Sequence, residues 1–291
     1  MKIAIIGGSG RMGHWFASLL AAEGKDILLI GRDYSKLEKS RGSLNVSLST
    51  DFSDVKTSDA VIISVPVDHF EETVRKISSH THPQQLILDV TSVKSLPVAI
   101  MHKYIKNGRI LGTHPVFGPG ARSLANQNFV LTPTNDNESK LAEKVRGYLE
   151  DKRAKVSLMT PEEHDEMMAV ILGLAHFIAI VSADSLASFD RLKEMEPIGG
   201  VTYKVLLTLV ESVISEDAGL YASLQMNLPH LPQLQQRFLQ NCLDWTEIVE
   251  KKDRQQFIQR MKDIRNKLEA CNPDFGKSYN NMYKIAEVLE E

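Results

Sequence analysis

Gly8-Ser9-Gly10-Arg11-Met12-Gly13 spells G-x-G-x-x-G, directly after the apolar run KIAII at 2–6 and before the helix-like stretch HWFASLLAAEG. Between a strand and a helix, this spacing reads as a dinucleotide site. The first glycine allows a tight turn, the second lets backbone approach a pyrophosphate, and the third lets helix and strand pack closely. N–H groups left bare at the helix start then meet the phosphates. The second strand run, DILLI at 26–30, ends in Gly31-Arg32-Asp33. A carboxylate in that region normally binds the ribose hydroxyls. Here glycine leaves room and Arg32 offers a guanidinium suited to a 2′-phosphate. NADP is therefore the expected cofactor, with Asp33 keeping NAD open. Ser64-Val65-Pro66 closes a third apolar run at 59–65 and falls beside the same ligand, because ligands of such sheets lie at the carboxyl ends of the strands.

Two further segments follow apolar runs and belong at that same end. One is Asp89-Val90-Thr91-Ser92-Val93-Lys94. The other is Gly112-Thr113-His114-Pro115-Val116-Phe117-Gly118-Pro119-Gly120. His114 is placed in a glycine- and proline-rich loop, where an imidazole can take a proton from an alcohol near neutral pH. A purely structural, loop-capping histidine is the alternative. Ser92 can hold the substrate oxygen or the imidazole. Asp89 and His114 alone do not make a metal site, and no metal is expected.

Short apolar runs at 2–6, 26–30, 59–65, 86–90 and 128–132 alternate with helical patterns, and 109–112 leads into a strand or loop. That alternation implies a mostly parallel sheet covered on both faces. After about residue 158 the strands stop, and helical patterns run over 161–189, 201–214, 217–225, 230–250 and 254–270. The expected fold is α/β: a Rossmann-type doubly wound parallel sheet over 1–155, then an all-helical domain over 156–291. The formal net charge of −3 carries no basic excess, so a nucleic-acid surface is not expected. Cys242 and Cys271 stand far apart without metal spacing, and the N-terminus lacks a leader-like segment, which points to a reduced, cytoplasmic protein. No run approaches the roughly 20 apolar residues of a membrane span. The most apolar stretch, 167–181, reads as a buried helix.

In their order, GGSGRMG, ISVPV, DVTSVKS, GTHPVFGPG, HDEMMAVILGLAHF and VTYKVLLTLVESVISEDAGLY resemble the prephenate dehydrogenases of tyrosine biosynthesis. The resemblance runs over nearly the whole chain. It implies oxidative decarboxylation of prephenate, a dicarboxylate, to 4-hydroxyphenylpyruvate, with hydride passing to NADP or NAD. It also implies a homodimer held by the helical domain. His114 is similar to the family's catalytic histidine, Ser92 to the serine that assists the hydroxyl and orients that histidine, and His176 to a second histidine near substrate. Ser123 and Gln127 fall where relatives line the pocket, and Tyr203-Lys204 where the family carries tyrosine and arginine. Lys204 keeps the charge that pairs with a carboxylate but loses the bidentate fork, and Arg122 is a weaker candidate for that charge. His164 and the remaining histidines are expected to be surface or structural groups. No fused mutase or regulatory domain is read in this chain, so a monofunctional form is expected. Two rivals stand beside this reading: an arogenate dehydrogenase or similar enzyme of the same architecture, and a non-catalytic dinucleotide-sensing dimer that would need neither His114 nor His176.

Overall fold

The structure is a computed structural model and describes residues 1–290. The chain folds as two compact units, one of Met1–Met168 with Ala222–Pro229 and the other of Ala169–Tyr221 with His230–Glu291.

The first unit is built on eight strands: β1 (Lys2–Ile6), β2 (Asp26–Ile30), β3 (Ser47–Ser49), β4 (Ala60–Ile63), β5 (Leu86–Asp89), β6 (Arg109–Pro115), β7 (Asn128–Thr132) and β8 (Lys155–Leu158). They form one sheet in the order β3-β2-β1-β4-β5-β6-β7-β8. The first six give the doubly wound order, and the order reverses between β1 and β4, which opens the ligand crevice there. All neighbours pair in parallel except β6 and β7, which are antiparallel, with His114 opposite Val130. Six helices accompany the sheet: α1 (Arg11–Ala22), α2 (Tyr34–Arg41), α3 (Phe70–Ser78), α4 (Ser95–Tyr104), α5 (Asp136–Asp151) and α6 (Pro161–Met168).

Two-residue alternation along the strands sorts the core into two layers. Ile3 and Ile5 join Phe16, Leu20, Leu37 and Leu141 on the face covered by α1, α2 and α5. Ala4 and Ile6 join Phe70, Val74, Ile77 and Met101 on the face covered by α3 and α4. Burial on both faces is why these strands read as continuous apolar runs. The sheet continues through β8, so this unit runs past residue 155.

The second unit is helical: α7 (Ala175–Ala187), α8 (Leu192–Met195), α9 (Val201–Ile214), α11 (Leu231–Glu250), α12 (Arg254–Cys271) and α13 (Ser278–Glu290), with α10 (Ala218–Asn227) running across the change of unit. A π-helical turn at Ala169–Leu174 precedes α7. The helical run Pro161–Ala187 has 27 residues and a mean hydropathy of 2.0 in its most apolar window, so by length and composition alone it could cross a membrane. It carries His164, Asp165, His176 and Asp184, groups that a bilayer would have to desolvate. Burial of 167–181 is incomplete, since Met167, Val170, Ile171 and Val181 are exposed. A helix apolar on most sides needs cover, and one copy of this chain leaves part of it bare.

Candidate active site

The carboxyl ends of β1, β4, β5 and β6 share one edge of the first unit, where the glycine turn, Ser64-Val65-Pro66, Ser92 and His114 follow or end these strands. At the end of β1 the tight turn belongs to Gly7, one residue before the motif. Its φ is +81°, and a Cβ on it would lie 2.1 Å from the Ser64 carbonyl oxygen. Only glycine fits, and the glycine turn is thereby pressed against Ser64-Val65. Gly10 caps α1, and its N–H donates to the Gly7 carbonyl at 2.9 Å. A Cβ on Gly13 would lie 2.5 Å from the Gly7 carbonyl oxygen, so the helix can sit this close only with glycine there. The result is a backbone cradle at a helix N-terminus, with no side chain filling it from Gly8, Gly10 or Gly13, which fits a dinucleotide pyrophosphate. Ligand cavities commonly span about 300–1,000 Å³; the one beside this turn measures about 780 Å³ and is lined by Ser9, Gly10, Arg11, Lys36, Lys39 and Arg41 among others. Its rim is strongly basic.

At the end of β2, Asp33 is committed elsewhere. Its carboxylate caps α2, accepting from the backbone N–H of Ser35 at 2.9 Å and of Lys36 at 3.2 Å. The Ser35 hydroxyl also donates to it, and these bonds hold its pKa below the usual aspartate value. Arg32 is exposed at the strand end, and Lys36, not Arg32, lines the cavity.

His114 is not in a loop. Pairing with β7 extends β6 to Pro115, so the imidazole projects from a strand and is buried. The predicted loop begins only at Val116, and Trp15 fastens it by donating from Nε1 to the Ala121 carbonyl at 2.6 Å. His114 Nδ1 lies 2.8 Å from His164 Nε2. His164 Nδ1 in turn lies 2.8 Å from an Asp165 carboxylate oxygen. Asp165 also accepts from the backbone N–H of Lys94 at 2.6 Å and of Ser95 at 2.9 Å, at the start of α4. His164 is therefore no surface group: it is fully buried and is the immediate partner of His114. Ser92 is half-buried beyond β5, and among the described residues it makes no hydrogen bond to His114, whose Nδ1 is engaged by His164 instead. No hydrogen bond reaches His114 Nε2 among the described residues. Burial holds His114 well below the usual imidazole value, and the neighbouring His164 and Lys94 add to this. Burial lowers His164 too, against the opposing pull of Asp165.

Lys94 and Asp89 form a fully buried ion pair. The Lys94 ammonium also donates to the Thr113 carbonyl at 2.6 Å, and Thr91 donates from its backbone and hydroxyl to Asp89 at 3.0 and 2.6 Å. Burial lowers the Lys94 pKa, and Asp89 partly restores it. This pair ties the ends of β5 and β6 together at Thr113, the residue before His114.

Ser123, Gln127 and Arg122 make no hydrogen bond to this cluster among the described residues. Ser123 is exposed and accepts from the Ala125 N–H at 3.3 Å, a turn contact, while Gln127 is half-buried where the chain enters β7. Arg122 is exposed. In the second unit, His176 of α7 meets the Tyr221 ring edge-on, with ring centres 4.9 Å apart. Its Nδ1 is buried without a partner, and burial lowers its pKa. Tyr203 and Lys204 are half-buried on α9, and a Cβ on Gly199 would lie 2.5 Å from the Tyr203 ring. Among the described residues, no group of three or more metal-ligating side chains is gathered.

Two family models match consecutive parts of the chain, the nucleotide-binding domain of prephenate dehydrogenase over residues 16–158 and its dimerization domain over 160–263. The chain belongs to the prephenate dehydrogenase family. It is 32% identical over 267 residues to a probable arogenate/prephenate dehydrogenase of Methanocaldococcus jannaschii, which covers 90% of this chain and 60% of that protein. The chain thus spans well under two thirds of that relative's length. In fold it is similar to the prephenate dehydrogenase from A. aeolicus solved with hydroxyphenyl propionate and NAD+, with a TM-score of 0.75 at 22% identity, covering 94% of this chain and 98% of that one. It is likewise similar to the Synechocystis arogenate dehydrogenase, with a TM-score of 0.68 at 21% identity, covering 92% and 100%. The first unit is accordingly the family's dinucleotide-binding domain of NAD(P) type, and the helical half carries its dimerization domain.

Proposed function

We propose that this chain is an NAD(P)-dependent prephenate dehydrogenase that works as a homodimer. One observation carries the reading: a buried imidazole at the ligand edge of a dinucleotide domain, with Nδ1 engaged by the protein and Nε2 unpartnered. A dinucleotide sensor would have no use for that arrangement, whereas oxidation of an alcohol needs a base at the hydroxyl.

Held at the glycine turn of Gly8, Gly10 and Gly13, NAD(P)+ would supply the hydride acceptor. His114 Nε2 takes the hydroxyl proton of the cyclohexadienol ring as its carbonyl character develops, and carbon dioxide leaves as the ring becomes aromatic. Aromatisation drives the reaction, so the protein's task is to bind, orient and deprotonate. Ser92 is assigned to the same hydroxyl. His176, Tyr203 and Lys204 are assigned to the substrate through the family resemblance, Lys204 to a carboxylate. The cofactor preferred is NADP. Asp33 is held as a helix cap and does not face a ribose, while Arg32 and Lys36 supply positive charge.

The test is NADPH or NADH formation with prephenate and with arogenate, in the parent and in Arg32→Ala. Prephenate should be oxidised, with kcat/KM favouring NADP. A charge-assisted bond of about 1.5–3 kcal/mol corresponds to roughly a 10- to 150-fold preference, most of which Arg32→Ala should abolish. Turnover of arogenate alone would move the chain to that substrate. No turnover of either would overturn the reading, and equal use of NAD by the parent would overturn the cofactor assignment.

A further inference from the structure

We propose that His164 and Asp165 are positioning residues that hold His114 in the one neutral tautomer able to act as a base. The proposal rests on reading His114 as that base and assigns the device that prepares it.

The argument is a count of donors along a buried chain. An ionised carboxylate only accepts hydrogen bonds. Asp165 already receives two backbone N–H groups from the start of α4 and lies 2.8 Å from His164 Nδ1. That nitrogen must therefore carry the proton. His164 Nε2 is then a lone pair, and the atom it faces at 2.8 Å, His114 Nδ1, must be the donor. Nε2 of His114 is left without a hydrogen and free to accept one. Every link is fixed by fold. The carboxylate is held at a helix N-terminus, where anions are favoured. The charged and titratable groups facing the chain are Lys94 and Asp89, and these neutralise each other as an ion pair. Protonation of His164 would reverse the pattern and make His164 the donor to His114. Burial, with Lys94 adding to it, opposes that protonation. The logic is that of a carboxylate orienting a catalytic imidazole, extended here by one intervening imidazole.

Substitutions separate this role from a structural one. In Asp165→Asn either orientation of the carboxamide sets its NH2 against a backbone N–H, so the anchor of His164 is weakened. In His164→Gln the amide can still donate to Asp165 and accept from His114, so the polarity is kept; in His164→Leu it is lost. The experiment is nitrogen–proton correlation NMR on protein labelled with 15N-histidine, without substrate, with the His114 signals assigned by their loss in His114→Asn. The parent should show His114 protonated on Nδ1 only. Under turnover, Asp165→Asn and His164→Leu should lose about 10²–10⁴-fold in kcat, with KM and dinucleotide affinity within about threefold. His164→Gln should stay within about tenfold of the parent. A parent His114 protonated on Nε2 would overturn the proposal, as would equal losses in His164→Gln and His164→Leu. Should Asp165→Asn fail to fold in a thermal melt, the parent spectrum and the His164 pair decide. The spectrum needs no substrate. The expected tautomer in a chain that oxidises neither prephenate nor arogenate would sink the proposed activity and leave this inference standing.

Discussion

A histidine serves as a base only while neutral, and burial decides how far down in pH His114 stays neutral. Its pKa lies well below the free value of 6.5, chiefly through burial. Activity needs the unprotonated form, so kcat/KM should be flat from pH 6.5 upward to about 8 and fall only on the acid side, below the free imidazole value of 6.5. An acid limb centred at or above that value would remove His114 from the role. Changing His114 to Asn should lower kcat by about 10²–10⁴-fold while dinucleotide affinity survives. The same shifts set the stability. His114, His164 and His176 all bind protons less readily folded than unfolded. Where the unfolded chain holds more protons, stability falls as pH falls. The melting temperature should therefore hold above the unfolded histidine value of 6.5 and decline as pH drops from there towards the folded values.

Elements explain why some of this site was legible in the sequence and some was not. β1, β2, β4, β5 and β7 are buried on both faces and announce themselves as apolar runs, and α9 and α11 as periodic ones. β3, with sequence SLS, and β8, with KVSL, carry no such run; their strand state comes from pairing with β2 and β7. β6 was readable as far as Gly112, and its extension through His114 is set by antiparallel pairing with β7, a tertiary effect. The His164–Asp165 pair lies within a family-like segment, yet its role is hidden in sequence because its partner, His114, lies 50 residues away. The available signal was periodicity: His164 and Asp165 share the helical spacing of the buried Pro161 and Met168, whereas Glu162, Glu163 and Glu166 fall on the exposed side. Lys94 shows the same dependence on context. Lysine is rarely buried unless paired, and here it is fully enclosed between β5 and β6 with Asp89 and the Thr113 carbonyl. Replacing it with Met leaves Asp89 charged, buried and without its partner. Such a broken pair costs about 3–5 kcal/mol. Urea unfolding should show a loss of that size in Lys94→Met, and a smaller one when Asp89→Asn is added. A loss below about 1 kcal/mol would show that the pair does not brace the two strands.

For the whole molecule, the question is what covers the apolar surface of the helical half. On α11, Leu239 and Leu243 stand one helical turn apart and are more than half exposed. On α12, Phe257, Met261, Ile264 and Leu268 follow at intervals of four, three and four, a single stripe, with Met261 and Leu268 more than half exposed. Between the two helices, Trp245, Val249, Phe257 and Met261 line an apolar cavity of about 450 Å³. A stripe of this kind left to water is costly, and patches that large mark association sites. The matched dimerization domain spans all of α11 and the first half of α12, including Phe257 and Met261. A second copy of the same chain supplies a matching surface by symmetry, since a two-fold interface brings one patch against itself. Obligate interfaces of this type bury more than about 2,000 Å² and are largely apolar. The chain should therefore sediment at twice its 32.6 kDa mass at micromolar concentration. Leu243→Glu combined with Met261→Glu places charges in the stripe at residues already exposed, so the fold of each copy should be spared. This double variant should sediment as single chains, with helical content unchanged by circular dichroism. A parent that sediments as a single chain at tens of micromolar, or a double variant that still pairs, would exclude these two helices as the dimer contact.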